Sequence, residues 1–275
     1  MHKDILLGKE TVYKASYDAS LIFPISRSEN RKKLSMPVKK VNDDLPFYGC
    51  DIWTGYEVSW LNEKGKPEVA IAEFIIPCES ENIVESKSFK LYLNSFNQTK
   101  VKGREEAQLR MQEDLSTGFG ADIQVILYGV MDYPLNQAGL GDNIDGLDIE
   151  VLEYSPNAAL LKTLPEKVAE TLNSHLLKSN CPVTNQPDWA TLVIEYSGSK
   201  IDHEALLKYV ISFRGHDDFH EHCVEQIFCD LLSVGEFEKL VVSARYTRRG
   251  GLDINPTRSL QAGFDKTLIG RLARQ

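Results

Sequence analysis

Two stretches of the chain repeat one succession of hydrophobic and polar patterns. In the first, the near-continuous apolar run VAIAEFIIP (69–77) predicts a strand, and the segment after it contains KLYLNSF (90–96). REEAQLRMQEDL (104–115) then predicts a helix and DIQVILYGV (122–130) a second strand. In the second stretch, WATLVIEY (189–196) predicts a strand and is followed by IDHEALLKYVISF (201–213). DFHEHCVEQIFCDLL (218–232) predicts a helix and KLVVSARYT (239–247) a strand. Ser95-Phe96 and Ser212-Phe213 stand 117 residues apart, and the strands downstream of them keep nearly the same offset. The repetition predicts two tandem α+β modules, 1–140 and 141–275. Between them 132–157, rich in Gly, Asn, Asp and Pro, reads as a linker or exposed hairpin. Paired strands with helices grouped between them predict antiparallel sheets with the helices on one face, rather than alternating βαβ units.

Within 218–232, Phe219, Cys223, Val224, Ile227, Phe228, Leu231 and Leu232 recur at spacings of three and four and form one apolar stripe. Asp217 and Asp218 occupy expected N-cap positions, which puts His220 and Glu221 at the helix mouth. A glutamate there is also what the helix dipole favours, so local sequence explains Glu221 without a ligand.

Composition narrows the class. The 275 residues are 42% apolar, enough for a packed core, and 31 Lys and Arg against 40 Asp and Glu give a net charge of −9. Broad binding to a nucleic acid backbone is therefore not expected. The longest apolar stretches fall well short of the roughly 20 residues of a membrane span. The opening MHKDILLGKE has no long apolar core or cleavage site of a leader, so a cytoplasmic protein is expected. Cys50, Cys78, Cys181, Cys223 and Cys229 are odd in number and form no CxxC pair, which argues against a disulfide framework. No GxGxxG opens a helix after a strand, so a nicotinamide cofactor would not be held in the Rossmann manner.

Candidate chemistry centres on SNCPVTNQPDW (179–189). Two prolines stiffen the loop, and Asp188 lies seven residues beyond Cys181. A carboxylate can take up the thiol proton, although its charge does not lower the thiol pKa. From the residues alone, a nucleophile on a rigid loop and a structural loop with a capping aspartate are equally good readings. His216, His220 and His222 beside Cys223 raise a metal reading, but neither HExxH nor paired cysteines occur, and no metal is expected. VESKSFKLY (84–92) and RYTRRGGLDINP (245–256) are local basic patches on an acidic chain, suited to a discrete anionic ligand. Gly250-Gly251 would let that ligand approach the backbone.

Taken together, ESKSFK (85–90), CPVTNQPDW (181–189), FHEHC (219–223) and RRGGLDINP (248–256) resemble the NADPH-dependent nitrile reductases that convert 7-cyano-7-deazaguanine to 7-aminomethyl-7-deazaguanine. The likeness runs from about residue 45 to the C-terminus and fits the long, bimodular branch of that family. It implies the tunnelling fold, with antiparallel sheets assembling across subunits and a homodimer as the expected state. A role in tRNA queuosine biosynthesis follows, with NADPH as cofactor and no direct contact with nucleic acid or membrane. By the resemblance, Cys181 attacks the nitrile carbon to give a thioimide and Asp188 moves protons with His220. His220 and Glu221 bind the deazaguanine with Val84, Glu85 and Ser86, while Ser86, Lys87, Arg249 and Gly250 contact NADPH. ESKSFK and the cysteine lie in different halves, so a complete site draws on both. Two other readings compete. A cyclohydrolase-like enzyme of the same fold would place Cys181 and a histidine on zinc, against which ESKSFK and CPVTNQPD argue. In a purine- or pterin-binding scaffold, Cys181 and Asp188 would be incidental.

Overall fold

The computed structural model describes residues 16–35, 40–42, 44–135, 139–264 and 270–275. MHKDILLGKE, read above for a leader, and part of the 132–157 seam lie outside the described residues. The chain forms two compact units that are not consecutive in sequence. One comprises Met1–Lys32, Asp51–Pro134 and Arg248–Asp253; the other comprises Lys33–Cys50, Leu135–Thr247 and Ile254–Gln275.

In the first unit the elements run β1 (Pro24–Ser26), α1 (Arg27–Arg31), β2 (Tyr48–Leu61), β3 (Pro67–Pro77), β4 (Asn82–Val84), α2 (Ser86–Ser95), α3 (Arg104–Phe119) and β5 (Gln124–Tyr128). The strand order is β5-β3-β2, with β3 and β5 antiparallel from Ile71↔Tyr128 to Ile75↔Gln124; β1 and β4 form a separate antiparallel pair. On α3, Ala107, Met111, Leu115 and Phe119 are all buried. Their i, i+4 spacing lays one stripe toward β5, against which the helix packs. Gly120, at φ 66°, ends α3 in the left-handed conformation that a C-cap uses. Trp53, Phe74, Phe89 and Phe119 fill the core, with ring centroids 4.8–5.6 Å apart at Trp53–Phe89, Phe74–Phe89 and Trp53–Phe119.

The second unit runs β6 (Asp142–Asn143), β7 (Thr163–Asn180), β8 (Pro187–Ile201), α4 (His203–Ser212), α5 (His220–Val234), β9 (Phe237–Tyr246) and β10 (Leu252–Ser259), in sheet order β10-β9-β8-β7-β6. Pairing is antiparallel except for the two-residue β6, which is parallel to β7. Helix α4 packs on β7 and α5 on β9. The four expected strands and two expected helices form, so the α+β antiparallel expectation holds. The KLYLNSF and IDHEALLKYVISF segments turn out to be helical, as α2 and α4.

The internal repeat extends to side-chain bonding. In the first unit Ser95 Oγ donates to the Tyr92 carbonyl (2.6 Å), and Tyr92 donates its hydroxyl to Asp114 (2.6 Å). In the second, Ser212 Oγ donates to the Tyr209 carbonyl (2.6 Å), and the Tyr209 hydroxyl donates to Asp230 (2.6 Å). Phe96 and Phe213 each pack edge-on against the tyrosine of their own set, at 5.4 and 5.3 Å. Each latch ties the end of one helix to the middle of the next. Burial is the largest cause raising both phenols, so they stay neutral donors.

Candidate functional site

In the second unit, β7 and β8 form a long hairpin closed by the loop that begins at Cys181. The Cys181 amide donates to the Gln186 carbonyl and its carbonyl accepts from the Asn185 amide, both at 2.9 Å. Asn185 takes a left-handed φ of 56°, which Asn tolerates better than most residues. The loop is therefore fixed by its backbone as well as by its prolines. Ser179 and Asp188 are direct cross-strand partners, and side chains so paired share a face. Ala190, two residues beyond Asp188, is paired with Tyr246 on β9. One sheet face thus carries Ser179, Asp188 and Tyr246, and Cys181 follows directly on the end of β7.

Helix α5 supplies the groups above it. His220 Nε2 lies 3.4 Å from Asp188 Oδ2, and His220 Nδ1 lies 3.2 Å from the Ile254 carbonyl oxygen. Asp188 is 2% exposed and Glu221 3%, so both carboxyls sit in a water-poor environment. The helix starts at His220, two residues later than expected, and the aspartates do not cap it: Phe219 is the N-cap residue and makes no side-chain cap bond. Asp218 is occupied otherwise. It receives a short hydrogen bond from His222 Nδ1, lies 3.5 Å from His216 Nε2 and accepts the Phe219 amide at 2.8 Å. Burial pushes the Asp218 carboxyl up, but His216, His222 and the Phe219 amide outweigh it and hold the group well below the usual carboxylate range. This cluster fixes the approach to α5, and a bond from the Asn180 amide to the His216 carbonyl (2.8 Å) joins it to the end of β7. No group of three or more His, Cys, Asp and Glu side chains among the described residues is arranged to hold a metal ion.

The cysteines differ in exposure. Cys181 is 9% exposed, whereas Cys50, Cys78, Cys223 and Cys229 lie between 0% and 3%. Burial raises the Cys223 thiol well above its ordinary value and Cys229 to about 12. Both are packed, largely protonated thiols, as their helical spacing suggested.

The remaining predicted residues belong to the first unit. Val84 ends β4 and is buried. Glu85 is the N-cap of α2 and is 2% exposed; its carboxylate accepts the Lys87 amide at 2.9 Å and the Ser88 amide at 2.8 Å. Each oxygen keeps a further lone pair, so capping does not exhaust the group. Ser86 begins α2. Lys87, Lys90, Glu57, Gly250 and Gly251 line a cavity of about 310 Å³. Arg249 and Leu252 exchange backbone bonds of 3.0 and 3.3 Å across Gly250 (φ 57°) and Gly251 (φ 73°), the two-glycine hairpin turn that requires positive φ at both positions. A Cβ on Gly251 would stand 2.4 Å from Glu57 Cδ. Arg248 stacks over Tyr56 at 4.6 Å, and Lys90 Nζ lies 3.5 Å from the Arg249 carbonyl. Two lysines against the single carboxylate of Glu57 leave the cavity lining net positive, which suits the phosphate-bearing part of a dinucleotide. Sequence reasoning passed over Lys90 and Tyr246. Lys90 lies inside the quoted ESKSFK, one helical turn after Lys87, whereas nothing in KLVVSARYT distinguishes Tyr246 from a core aromatic.

Among the described residues no helix is long and apolar enough to cross a membrane. Two family models match in tandem: "Nitrile reductase, 7-cyano-7-deazaguanine-reductase N-term" over residues 13–127, and "QueF-like protein" over residues 187–263. With the antiparallel sheets, this tandem match fits two tunnelling-fold modules. Proteins named NADPH-dependent 7-cyano-7-deazaguanine reductase are similar along most of the chain. The one from Cupriavidus metallidurans is 55% identical over 257 residues, covering 92% of each chain. That from Hydrogenovibrio crunogenus is 51% identical over 98% of this chain and 96% of the relative. That from Teredinibacter turnerae is 49% identical over 100% and 99%. Tandem family models over residues 13–127 and 187–263 and relatives about half identical along most of the chain agree, and the chain belongs to the 7-cyano-7-deazaguanine nitrile reductase family.

Proposed function

We propose that this protein reduces the nitrile of 7-cyano-7-deazaguanine to the primary amine at the expense of NADPH, through a thioimide on Cys181. In this reading it acts in the cytoplasm, as a homodimer without a nucleic acid partner, in tRNA queuosine biosynthesis. What supports the mechanism is the β7–β8 hairpin, whose closing loop opens with the most exposed thiol and whose second strand carries the buried Asp188, with His220 Nε2 of α5 3.4 Å from it. A nitrile is a weak electrophile toward hydride. Adding the Cys181 sulfur across C≡N, with a proton passing to nitrogen, gives a C=N carbon that hydride attacks more readily and divides one hard step into easier ones. Asp188 and His220 hold the proton that nitrogen needs. After the first reduction, departure of the Cys181 sulfur leaves an imine, and the same pair supplies the proton for its reduction to the amine.

NADPH supplies one hydride per reduction, two in all, because nitrile to amine takes four electrons. Ser86, Lys87, Arg249 and Gly250 would hold it, the cations meeting phosphate; Lys87 and Gly250 line the cavity, whereas Ser86 and Arg249 are not among its lining residues. Substrate recognition falls to Glu221, whose carboxylate can take two N–H bonds from the guanine-like edge, with His220, Val84, Glu85 and Ser86. A ligand without those donors leaves a buried carboxylate unpaired, which selects a deazaguanine over other nitriles. The proposed tandem has modules 1–140, carrying ESKSFK, and 141–275, carrying the cysteine and Glu221; the compact units differ from them by taking Lys33–Cys50 into the second and Arg248–Asp253 into the first. The test is intact-protein mass after mixing with 7-cyano-7-deazaguanine without NADPH, in wild type and Cys181→Ala. An adduct of substrate mass that needs Cys181 and disappears as NADPH is consumed is expected, and Asp188→Ala should consume NADPH far more slowly. Full turnover by Cys181→Ala would refute the mechanism.

A further inference from the structure

We propose that Tyr246 is a positioning residue for the reaction: its ring is the platform that holds His220 in line with Asp188. This rests on the reading of Asp188 and His220 as the pair that handles protons. The two rings stack with centroids 3.6 Å apart and planes 5° from parallel. Such complete overlap is not the arrangement two neutral aromatic rings favour, since their quadrupoles repel face to face. It suits a ring that becomes a cation when it takes a proton, because the face of the phenol is electron-rich.

The platform itself is fixed. Tyr246 is wholly buried, and its backbone is held by side chains as well as by the sheet. Its amide donates to Asn255 Oδ1 at 3.1 Å, and its carbonyl accepts from Gln275 Nε2 at 3.0 Å. The hydroxyl is raised well above its ordinary value by burial, with added contributions from Cys223 and Asp188, so the ring stays an uncharged phenol at all working pH. The Ala190↔Tyr246 register puts the residue on the sheet face that also carries Asp188.

Three restraints then define His220. The stack fixes its plane, and the 3.2 Å contact to the Ile254 carbonyl requires a hydrogen on Nδ1, since a carbonyl only accepts. The neutral ring consequently keeps its lone pair on Nε2, which faces Asp188 Oδ2 at 3.4 Å. A lone pair facing a carboxylate is unfavourable unless one proton lies between them. The arrangement holds Nε2 and Oδ2 on a fixed line, along which the proposed mechanism passes a proton, and Tyr246 preserves the line by preventing the imidazole from tilting.

A kinetic cycle over Tyr246→Leu, His220→Ala and the double variant tests this, with Tyr246→Phe as the conservative control. Tyr246→Leu is expected to lower kcat about ten- to a hundred-fold, the scale of a misplaced catalytic group, while KM for the nitrile stays within about threefold. Tyr246→Phe, which keeps the ring, should restore most of the loss. In the His220→Ala background, Tyr246→Leu should cost less than about twofold, because the residue acts through a ring no longer present. Equal losses in both backgrounds, or a Phe variant as poor as Leu, would overturn the proposal. Should Tyr246→Leu fail to fold, ¹⁵N chemical shifts of the wild-type histidines decide: His220 must carry its hydrogen on Nδ1, and an Nε2–H neutral tautomer would refute the geometry. A His220→Ala enzyme of full activity would instead remove the proton-pair reading, while the tautomer measurement would still report on the Nδ1–Ile254 contact that orients the ring.

Discussion

Replacing Glu221 by glutamine tests substrate recognition at nearly constant volume. The wild-type carboxylate is 3% exposed, in the first turn of α5, where the helix dipole favours a negative charge. Against a guanine-like edge it accepts two N–H bonds, each worth about 1.5–3 kcal/mol because the acceptor is charged. Glutamine keeps one acceptor oxygen but turns an NH₂ toward the second donor, so one bond is lost and a donor is left facing a donor at a further cost of about 1–3 kcal/mol. The total of about 2.5–6 kcal/mol corresponds to binding weaker by roughly two to four powers of ten. The fold should change little, since losing the dipole interaction costs about 0.3–1 kcal/mol and removing a buried charge offsets it. Calorimetric titration with 7-cyano-7-deazaguanine in a Cys181→Ala background measures the non-covalent affinity alone, and thermal unfolding checks the fold. A folded Glu221→Gln protein whose affinity falls less than about tenfold would mean that Glu221 does not read the guanine edge.

Other substitutions separate cofactor binding from folding. Gly250→Ala puts a methyl group 3.4 Å from Lys90 at φ 57°, so a stability loss of about 1–2 kcal/mol should accompany a severalfold rise in KM for NADPH, measured by absorbance. Gly251→Ala, whose Cβ would meet Glu57 at 2.4 Å, should lower the Tm further than Gly250→Ala does. Asp218→Asn should cost about 3–5 kcal/mol at neutral pH by breaking a buried pair. The Asp218 carboxyl is depressed in the folded state, so its stabilisation is complete above the ordinary carboxylate value of about 4 and declines as pH falls below it. Denaturant midpoints of wild type and Asp218→Asn should therefore converge as pH drops from 5 to 2, and a constant gap would refute the assignment.

Much of this architecture could be read from periodicity, and the exceptions have physical reasons. VAIAEFIIP and WATLVIEY announce strands because both of their faces are largely buried, as the structure bears out for β3 and β8. The 18-residue β7 escaped notice because its first half is exposed and KVAETLNSHLLK has the composition of a surface helix; only pairing along β8 makes it a strand. The aspartates before α5 looked like caps because Asp is a good N-cap, but two histidines claim Asp218, and a tertiary contact overrode the local preference. At the proposed site, Cys181 and Asp188 were legible as a loop motif, and VESKSFKLY and RYTRRGGLDINP as two separate basic patches. The closeness of Asp188 to His220 was not, since it depends on strand register and on where α5 begins.

The duplicated Ser–Tyr–Asp latch makes the two units comparable position by position, and the comparison is asymmetric where it matters. At the end of its long hairpin the second unit has the rigid loop that begins with Cys181. The first unit closes the corresponding β2–β3 hairpin with Asn62–Lys66, a solvent-exposed turn built on the Asn62 side chain and on Gly65 at φ 81°. The repeat thus keeps the same latch in both halves while only one of them carries the proposed nucleophile. A laboratory seeking a second reactive centre in this chain would have to rebuild that turn, and the latch beneath it is already in place.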